Sequence, residues 1–193
     1  MIYRVLSKSI VYGFLSAVLL SSCGGDNDAP SLPPPAPEKE LATMELTSPA
    51  FSNGEPIPAK YSRNSDNISP PLSWDAPPEG TQSMALICDD LDAPSGTWVH
   101  WVIYNLPSDV RSLPEAVTSD ANLADGSSNG KNSWGELGYD GPSPPSGTHR
   151  YYFKIYALDT ILDLEPGASN NDLIEAMDTH VLADGELMGT YSK

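Results

Sequence analysis

The stretch His149-Arg150-Tyr151-Tyr152-Phe153-Lys154-Ile155-Tyr156-Ala157 decides the fold. Successive side chains of a strand point to opposite faces, so this alternation reads as a strand with one face on a core. His149, Tyr151, Phe153, Ile155 and Ala157 form the buried stripe, and Arg150 and Lys154 face outward. Working outward, Met84-Ala85-Leu86-Ile87-Cys88 is a short apolar run that reads as a second strand. Val99-His100-Trp101-Val102-Ile103-Tyr104 is rich in β-branched and aromatic residues and predicts a third, stopped at Asn105-Leu106-Pro107. Long polar stretches such as residues 108–148 lie between strands. Ser169 and Asp172 stand three apart and fit a capping box, so Leu173-Ile174-Glu175-Ala176-Met177 begins a short helix with one apolar side. The sequence predicts a mainly β domain with a small helix near the C-terminus.

Composition agrees. The chain has 193 residues, enough for one ordinary domain with extensions or two very small ones. Nineteen prolines and 15 glycines argue against a helical bundle, and 39% apolar residues suffice for a core. Ten basic residues face 26 acidic ones, a net charge of −16. So acidic a chain has no electrostatic grip on phosphate backbones, which excludes general nucleic-acid binding. Two cysteines cannot build a disulfide framework.

The N-terminus reads as an address. Arg4 and Lys8 precede the apolar run Ile10–Leu20, which is too short to span a bilayer and ends in Ser21-Ser22-Cys23. Residues 1–22 are expected to be a signal peptide, with an uncleaved N-terminal anchor as the alternative. Leu20-Ser21-Ser22-Cys23 resembles the bacterial lipobox, which implies lipidation at Cys23 and a membrane anchor there. Gly24 stands where an aspartate would retain a lipoprotein at the inner membrane, so the resemblance favours the outer membrane of a bacterial envelope. Residues 23–40 then form a tether, because Pro30, Pro33, Pro34, Pro35 and Pro37 enforce extended geometry and nothing there packs a core. Residues 41–193 are expected to form the domain. With Cys23 committed to lipid, Cys88 stands alone in an apolar run and reads as a buried thiol.

Candidate chemistry is sparse. Gly126-Ser127-Ser128-Asn129-Gly130 matches the G-x-S-x-G pattern of a hydrolase, but that motif needs a buried strand before it and a helix after it. Its loop-like flanks make it a plain loop. Three carboxylates in Asp89-Asp90-Leu91-Asp92 read as a solvated turn, with a catalytic pair as the alternative. The histidines are His100, His149 and His180, without the local spacing of a metal site, so neither metal nor cofactor is expected. His149 and Tyr151 share a strand face, and His100 lies in another aromatic strand. Two imidazoles and a phenol at the end of a buried face suit hydrogen bonding to an oxyanion.

Five segments in order carry a resemblance. They are Tyr61 with Asn67-Ile68-Ser69-Pro70-Pro71-Leu72-Ser73-Trp74, then Asp90-Leu91-Asp92-Ala93-Pro94-Ser95-Gly96, then Trp98–Pro107, then Gly138–Tyr151, and finally His180–Tyr191. Together they resemble the phosphatidylethanolamine-binding protein family, in its bacterial Raf-kinase-inhibitor-like branch. The resemblance implies a β-sandwich-like core of Greek-key strands with a few short peripheral helices and a small anion pocket at one edge. It implies Asp90, His100, His149 and Tyr151 in that pocket, with Asp92, Pro94, Trp98, Gly141 and Pro142 shaping its wall. Family members accept phosphate, acetate or a phospholipid headgroup there. The function so implied is non-enzymatic binding of a small anion or headgroup, with Asp90 orienting an imidazole. The alternatives are a protease- or kinase-inhibitor module acting on a protein partner, and a weak or metal-dependent hydrolase. Leu91 replaces a proline usual in the family, and Arg63 and Ser143 stand where bacterial relatives often carry cysteines. The chain also ends without the extended C-terminal helix of eukaryotic members.

Overall fold

A computed structural model describes residues 41–193; the expected signal peptide, Cys23 and the tether lie outside the described residues. In chain order the elements are β1 (Ala42–Thr43), β2 (Leu46–Thr47), β3 (Leu72–Trp74), β4 (Ser83–Asp90) and β5 (Trp98–Pro107). They continue with β6 (Ser112–Leu113), β7 (Ser128–Asn129), β8 (Thr148–Leu158), helix α1 (Asn170–Met177) and β9 (Val181–Ser192). A 3-10 turn, Ala59–Tyr61, precedes β3. Six strands form one sheet in the order β1-β9-β8-β4-β5-β7, and β2-β3-β6 form a second. The connection from β5 returns to place β8 beside β4, the kind of crossing expected of Greek-key strands.

The alternation in β8 is realised: His149, Tyr151, Phe153, Ile155 and Ala157 are buried, while Arg150 is exposed and Lys154 half-buried. That stripe joins Met84, Leu86, Cys88, Trp101 and Ile103 from β4 and β5. Leu46, Leu72, Trp74 and Leu113 of the small sheet close over it, giving the main core between two sheets. The opposite face of the large sheet, with Ala85, Ile87, Val102 and Tyr104, is covered by Leu173 and Met177 of α1. The helix starts where the sequence places its cap: Ser169 Oγ accepts from the Asp172 amide, and the Asp172 carboxylate accepts from the Ser169 amide. Such caps stabilise a helix by about 1 kcal/mol. β4 is buried over all eight residues because both faces are covered.

Two expectations change, and one strand goes unmarked by the sequence. β4 runs on past Cys88, so Asp89 and Asp90 are buried strand residues rather than part of a solvated turn; only Leu91 and the residues after it turn in solvent. The Gly126–Gly130 segment is not a plain loop, since Ser128 and Asn129 pair with Tyr104 and Ile103 at the sheet edge. No helix follows it, and Ser127 Oγ donates to Asp125. The longest strand, β9, carries no apolar run, because its buried positions include glycines. A Cβ on Gly185 would collide with the Met44 carbonyl oxygen, and one on Gly189 would overlap Ile57 and Phe51. The segment between β1 and β3 crosses directly against β9, so small residues there are a packing requirement. Cys88 is buried and free, with its thiol pKa pushed well up by burial.

Because the obstacle at Gly185 is backbone, Gly185→Ala is expected to destabilise the domain by about 1–3 kcal/mol. Urea unfolding measures this, and an unchanged midpoint would contradict the close crossing.

Candidate functional site

The pairing of β4 with its two neighbours differs at one end. With β8 the register runs unbroken from Ser83 opposite Leu158 to Asp90 opposite Tyr151. With β5 it shifts: Cys88 is opposite Trp101, but Asp89 is opposite Val99. His100 is therefore the extra residue of a β-bulge. A bulge re-aims side chains, and here it sends His100 to the same side as Trp101, against Tyr151. The His100 and Tyr151 rings meet edge-on with centroids 5.1 Å apart.

A cavity of about 150 Å³ lies at this end of the sheet. Its lining comes from Asp90 at the end of β4, Ala93, Pro94 and Ser95 in the following loop, Trp98 and His100 of β5, and Trp134, Ser143 and Pro145 before β8. Of the sequence candidates, Asp90, His100, Pro94 and Trp98 line it. His149 and Tyr151 stand directly behind: His149 Nδ1 lies 2.7 Å from Asp90 Oδ2, and Tyr151 is the register partner of Asp90. Asp90 Oδ1 also accepts the Asp92 amide at 2.9 Å, so both oxygens of this buried carboxylate are engaged. A carboxylate accepts, so Nδ1 of His149 carries the proton and Nε2 is left to receive one.

Asp92, Gly141 and Pro142 are not in the lining; they hold it. Arg150 grips both oxygens of Asp92, at 2.8 and 2.6 Å, and adds its backbone amide at 3.0 Å. These bonds hold the Asp92 carboxyl down to about 2 and tie the loop carrying Ala93, Pro94 and Ser95 to β8. Gly141 lies against residues 61–63, where a Cβ would strike the Tyr61 carbonyl oxygen, and its amide donates to Asn67 Oδ1. The Pro142 carbonyl accepts from the Arg63 amide. His180 is remote from the cavity and pairs with Asp159.

Residues that the sequence reading did not single out complete the site. The Asp140 carbonyl accepts from His100 Nδ1 at 2.6 Å, and the Asp140 amide donates back to the His100 carbonyl. The buried Asp140 carboxylate accepts from Asn67 and Asn132, each at 2.9 Å, and Arg63 Nε approaches it at 3.3 Å. Trp134 packs edge-on against both His100 and Trp98. Asp140 and Asn67 fall inside the segments quoted above, but nothing local marks them, because their partners are 73 residues apart in sequence.

Near the cavity, the Trp98 indole Nε1 and the Tyr151 hydroxyl are buried without a well-placed hydrogen-bond partner, the phenol lying close to the Asp90 carboxylate. Such groups are costly unless something accepts from them. Burial, and next the Asp90 charge, push the Tyr151 pKa well above the usual phenol value, so it stays a donor. Burial pushes His100 below the usual imidazole value, opposed by the Asp140 carbonyl and by the Asp90 charge. The Ser143 hydroxyl faces Asn64 at 3.4 Å, and the histidine Nδ1 atoms are taken by Asp90 and Asp140. Among the described residues no group of three or more His, Cys, Asp or Glu is arranged to hold a metal ion, and no helix is long and apolar enough to cross a membrane.

With His100 neutral in the fold, the unfolded chain takes up a proton first as pH falls through about 6.5. Stability is therefore expected to decline from pH 7 to 5.5, and His100→Asn, which keeps a donor toward Asp140, to remove that part of the slope. Urea midpoints across this range are the measurement, and equal slopes in both proteins would refute the assignment.

Comparison with known proteins gives a consistent answer. A family model described as phosphatidylethanolamine-binding protein matches residues 47–192. A UPF0098 protein of Methanothermobacter thermautotrophicus is 55% identical over 150 residues, covering 78% of this chain and 99% of the relative. A UPF0098 protein of Chlamydia trachomatis is 47% identical over 155 residues, with coverage of 78% and 99%. Among solved structures, the phosphatidylethanolamine-binding protein homolog CT736 of Chlamydia trachomatis superposes with a TM-score of 0.72 at 46% identity, covering 78% of this chain and 98% of that one. YbcL of E. coli, described as a member of the mammalian PEBP family, does so with 0.74 at 31% identity, covering 79% and 99%.

Proposed function

The chain belongs to the phosphatidylethanolamine-binding protein family, and from that premise we propose that it is a binding protein, not an enzyme, whose cavity takes a compact phosphoryl or carboxylate group such as a phospholipid headgroup. The observation that carries this reading is a pair of buried donors without a well-placed partner, Trp98 Nε1 in the wall of the cavity and the Tyr151 hydroxyl behind it, with His100 in the lining and His149 behind. Oxyanions accept several hydrogen bonds at once, and bonds to charged acceptors are the stronger ones. In so acidic a protein, directed donors rather than a general field must hold an anion.

The protonation states set the pH dependence. His149 donates a hydrogen bond from Nδ1 to Asp90 and His100 donates one from Nδ1 to the Asp140 carbonyl, so in the neutral rings both Nε2 atoms are acceptors. An anion gains a donor at Nε2 only when a ring takes a second proton. Affinity for phosphate is therefore expected to rise as pH falls, with binding accompanied by proton uptake; for His100, whose charged form burial disfavours, this lies below the usual imidazole range. In this reading Asp90 does not touch the anion. It fixes the tautomer of the His149 ring.

Calorimetric titration with phosphate and phosphoethanolamine between pH 5.5 and 8 tests the proposal. The expected result is tighter binding at the acid end and loss of about tenfold or more in affinity in His149→Ala, the scale of a hydrogen bond to a charged group. Binding unaffected by that substitution sinks the reading. A protein pulled down equally well by wild type and by the His149 variant would favour the interaction-module alternative instead.

A membrane location is a separate proposal that rests on the N-terminal sequence. We propose that Cys23 is lipidated after removal of residues 1–22, that residues 23–40 tether the domain, and that the anchor lies in the outer membrane of a bacterial envelope. Acyl chains stabilise anchoring by about 0.8 kcal/mol per buried methylene. Cys23→Ala is expected to abolish palmitate labelling and to shift the protein from the membrane fraction to the soluble fraction. Retention of label by the variant would overturn the assignment.

A further inference from the structure

Arg63 belongs to none of the strands that supply the pocket histidines, yet it reaches two parts of their support at once. Its guanidinium carbon lies 4.2 Å from the centroid of the Trp134 ring, and its Nε lies 3.3 Å from the buried Asp140 carboxylate. Its outer nitrogen is 3.7 Å from Glu136, and its backbone amide donates to the Pro142 carbonyl. Trp134 is a wall of the cavity and touches both His100 and Trp98 edge-on, at 5.0 and 5.2 Å between centroids. Asp140 holds His100 by the ring nitrogen and by the backbone.

The chemistry of a guanidinium suits this double contact. It is planar, stacks on aromatic faces, and can donate from its edge at the same time, which a lysine ammonium does not do. The neighbouring connections hold the backbone of this segment but not the indole ring. The Trp134 amide donates to Asn132 Oδ1, and Ser133 exchanges bonds with Val99. The orientation of the ring is left to its stacking partners: His100 and Trp98 on the cavity side and Arg63 over its face.

We propose that Arg63 is a positioning residue for the pocket. By stacking on Trp134 it fixes a rigid wall that limits the cavity to compact anions, and by pairing with Asp140 it offsets the carboxylate behind His100. This rests on the reading of the cavity as an anion site and adds to it what sets the size selectivity. Loosening the wall admits a bulkier ligand at the expense of a compact one. Removing a positive charge weakens both alike. The two roles therefore separate in the ratio of affinities.

The experiment compares wild type, Arg63→Ala and Arg63→Lys as full chains, each first shown to be folded by its unfolding midpoint. Calorimetry gives Kd for phosphate and for phosphoethanolamine. Acrylamide quenching, with Trp134→Phe to identify the contribution of that ring, reports the wall without any ligand. Arg63→Ala is expected to weaken phosphate by about tenfold and to shrink its preference over phosphoethanolamine by about threefold, the scale of a partly buried cation–π contact. Arg63→Lys restores most of the phosphate affinity, leaves the preference reduced, and leaves Trp134 more accessible to acrylamide than in wild type. Equal weakening of both ligands, fully rescued by lysine, overturns the positioning role, as does unchanged quenching in Arg63→Ala. If the wild type binds neither ligand, the anion reading itself fails. The quenching comparison then still decides whether Arg63 holds the wall.

Discussion

Everything at the cavity depends on how β4 is paired. Its backbone is buried along its full length, so its amides and carbonyls must be satisfied by neighbouring strands, and β8 meets them residue for residue as far as Asp90 and Tyr151. That unbroken register fixes Asp90 next to Tyr151 and brings it within reach of His149. On the other side the register with β5 breaks at His100. One neighbour thus supplies fixed spacing and the other supplies a turned side chain. A continuous ladder on both sides would alternate His100 away from the face that Tyr151 shares.

The bulge leaves His100 in need of other partners, and the connection between β7 and β8 supplies them. Asp140 bonds His100 through both backbone groups while its carboxylate gathers Asn67, Asn132 and Arg63. A buried carboxylate is tolerable only when it is hydrogen-bonded on every side, and in being so this one joins the β7–β8 connection to the segment before β3. Asn67 adopts a left-handed conformation, φ 53°, to present its amide to Asp140 and its oxygen to the Gly141 amide. The cavity wall is therefore set by polar bonds behind it, while the core behind Tyr151 and Trp101 is apolar. Rigid support on one side and orphaned donors on the other suit a preformed site that changes little when occupied.

The charges have a similar division. Asp92 is satisfied by Arg150, Asp140 by two asparagines and Arg63, and Asp89 by Lys154 at 2.8 and 2.9 Å. Burial raises the Asp89 pKa even so, with Lys154 opposing it. Each inward-facing acid near the site has a donor assigned to it. The net charge of −16 thus describes mainly a solvated surface, and the cavity is a local exception to it.

The sequence by itself determined what alternation and capping control: the β8 stripe, the β4 and β5 strands and the α1 cap, each readable within a dozen residues because its physics is local. Five ordered segments also identified the family and, with it, the histidines, Tyr151 and Asp90. Only the tertiary structure decided that Asp89 and Asp90 are buried, that β9 is a strand despite Gly185 and Gly189, and that Ser128 and Asn129 form a sheet edge. It alone decided that Asp92, Gly141 and Pro142 support the cavity rather than line it, and that Arg63, Asn67, Asn132, Trp134 and Asp140 belong to the site. The reason is the same in each case. Burial of a carboxylate, closeness of two backbones and a one-residue slip in register are set by residues distant in the chain, and no local pattern encodes them.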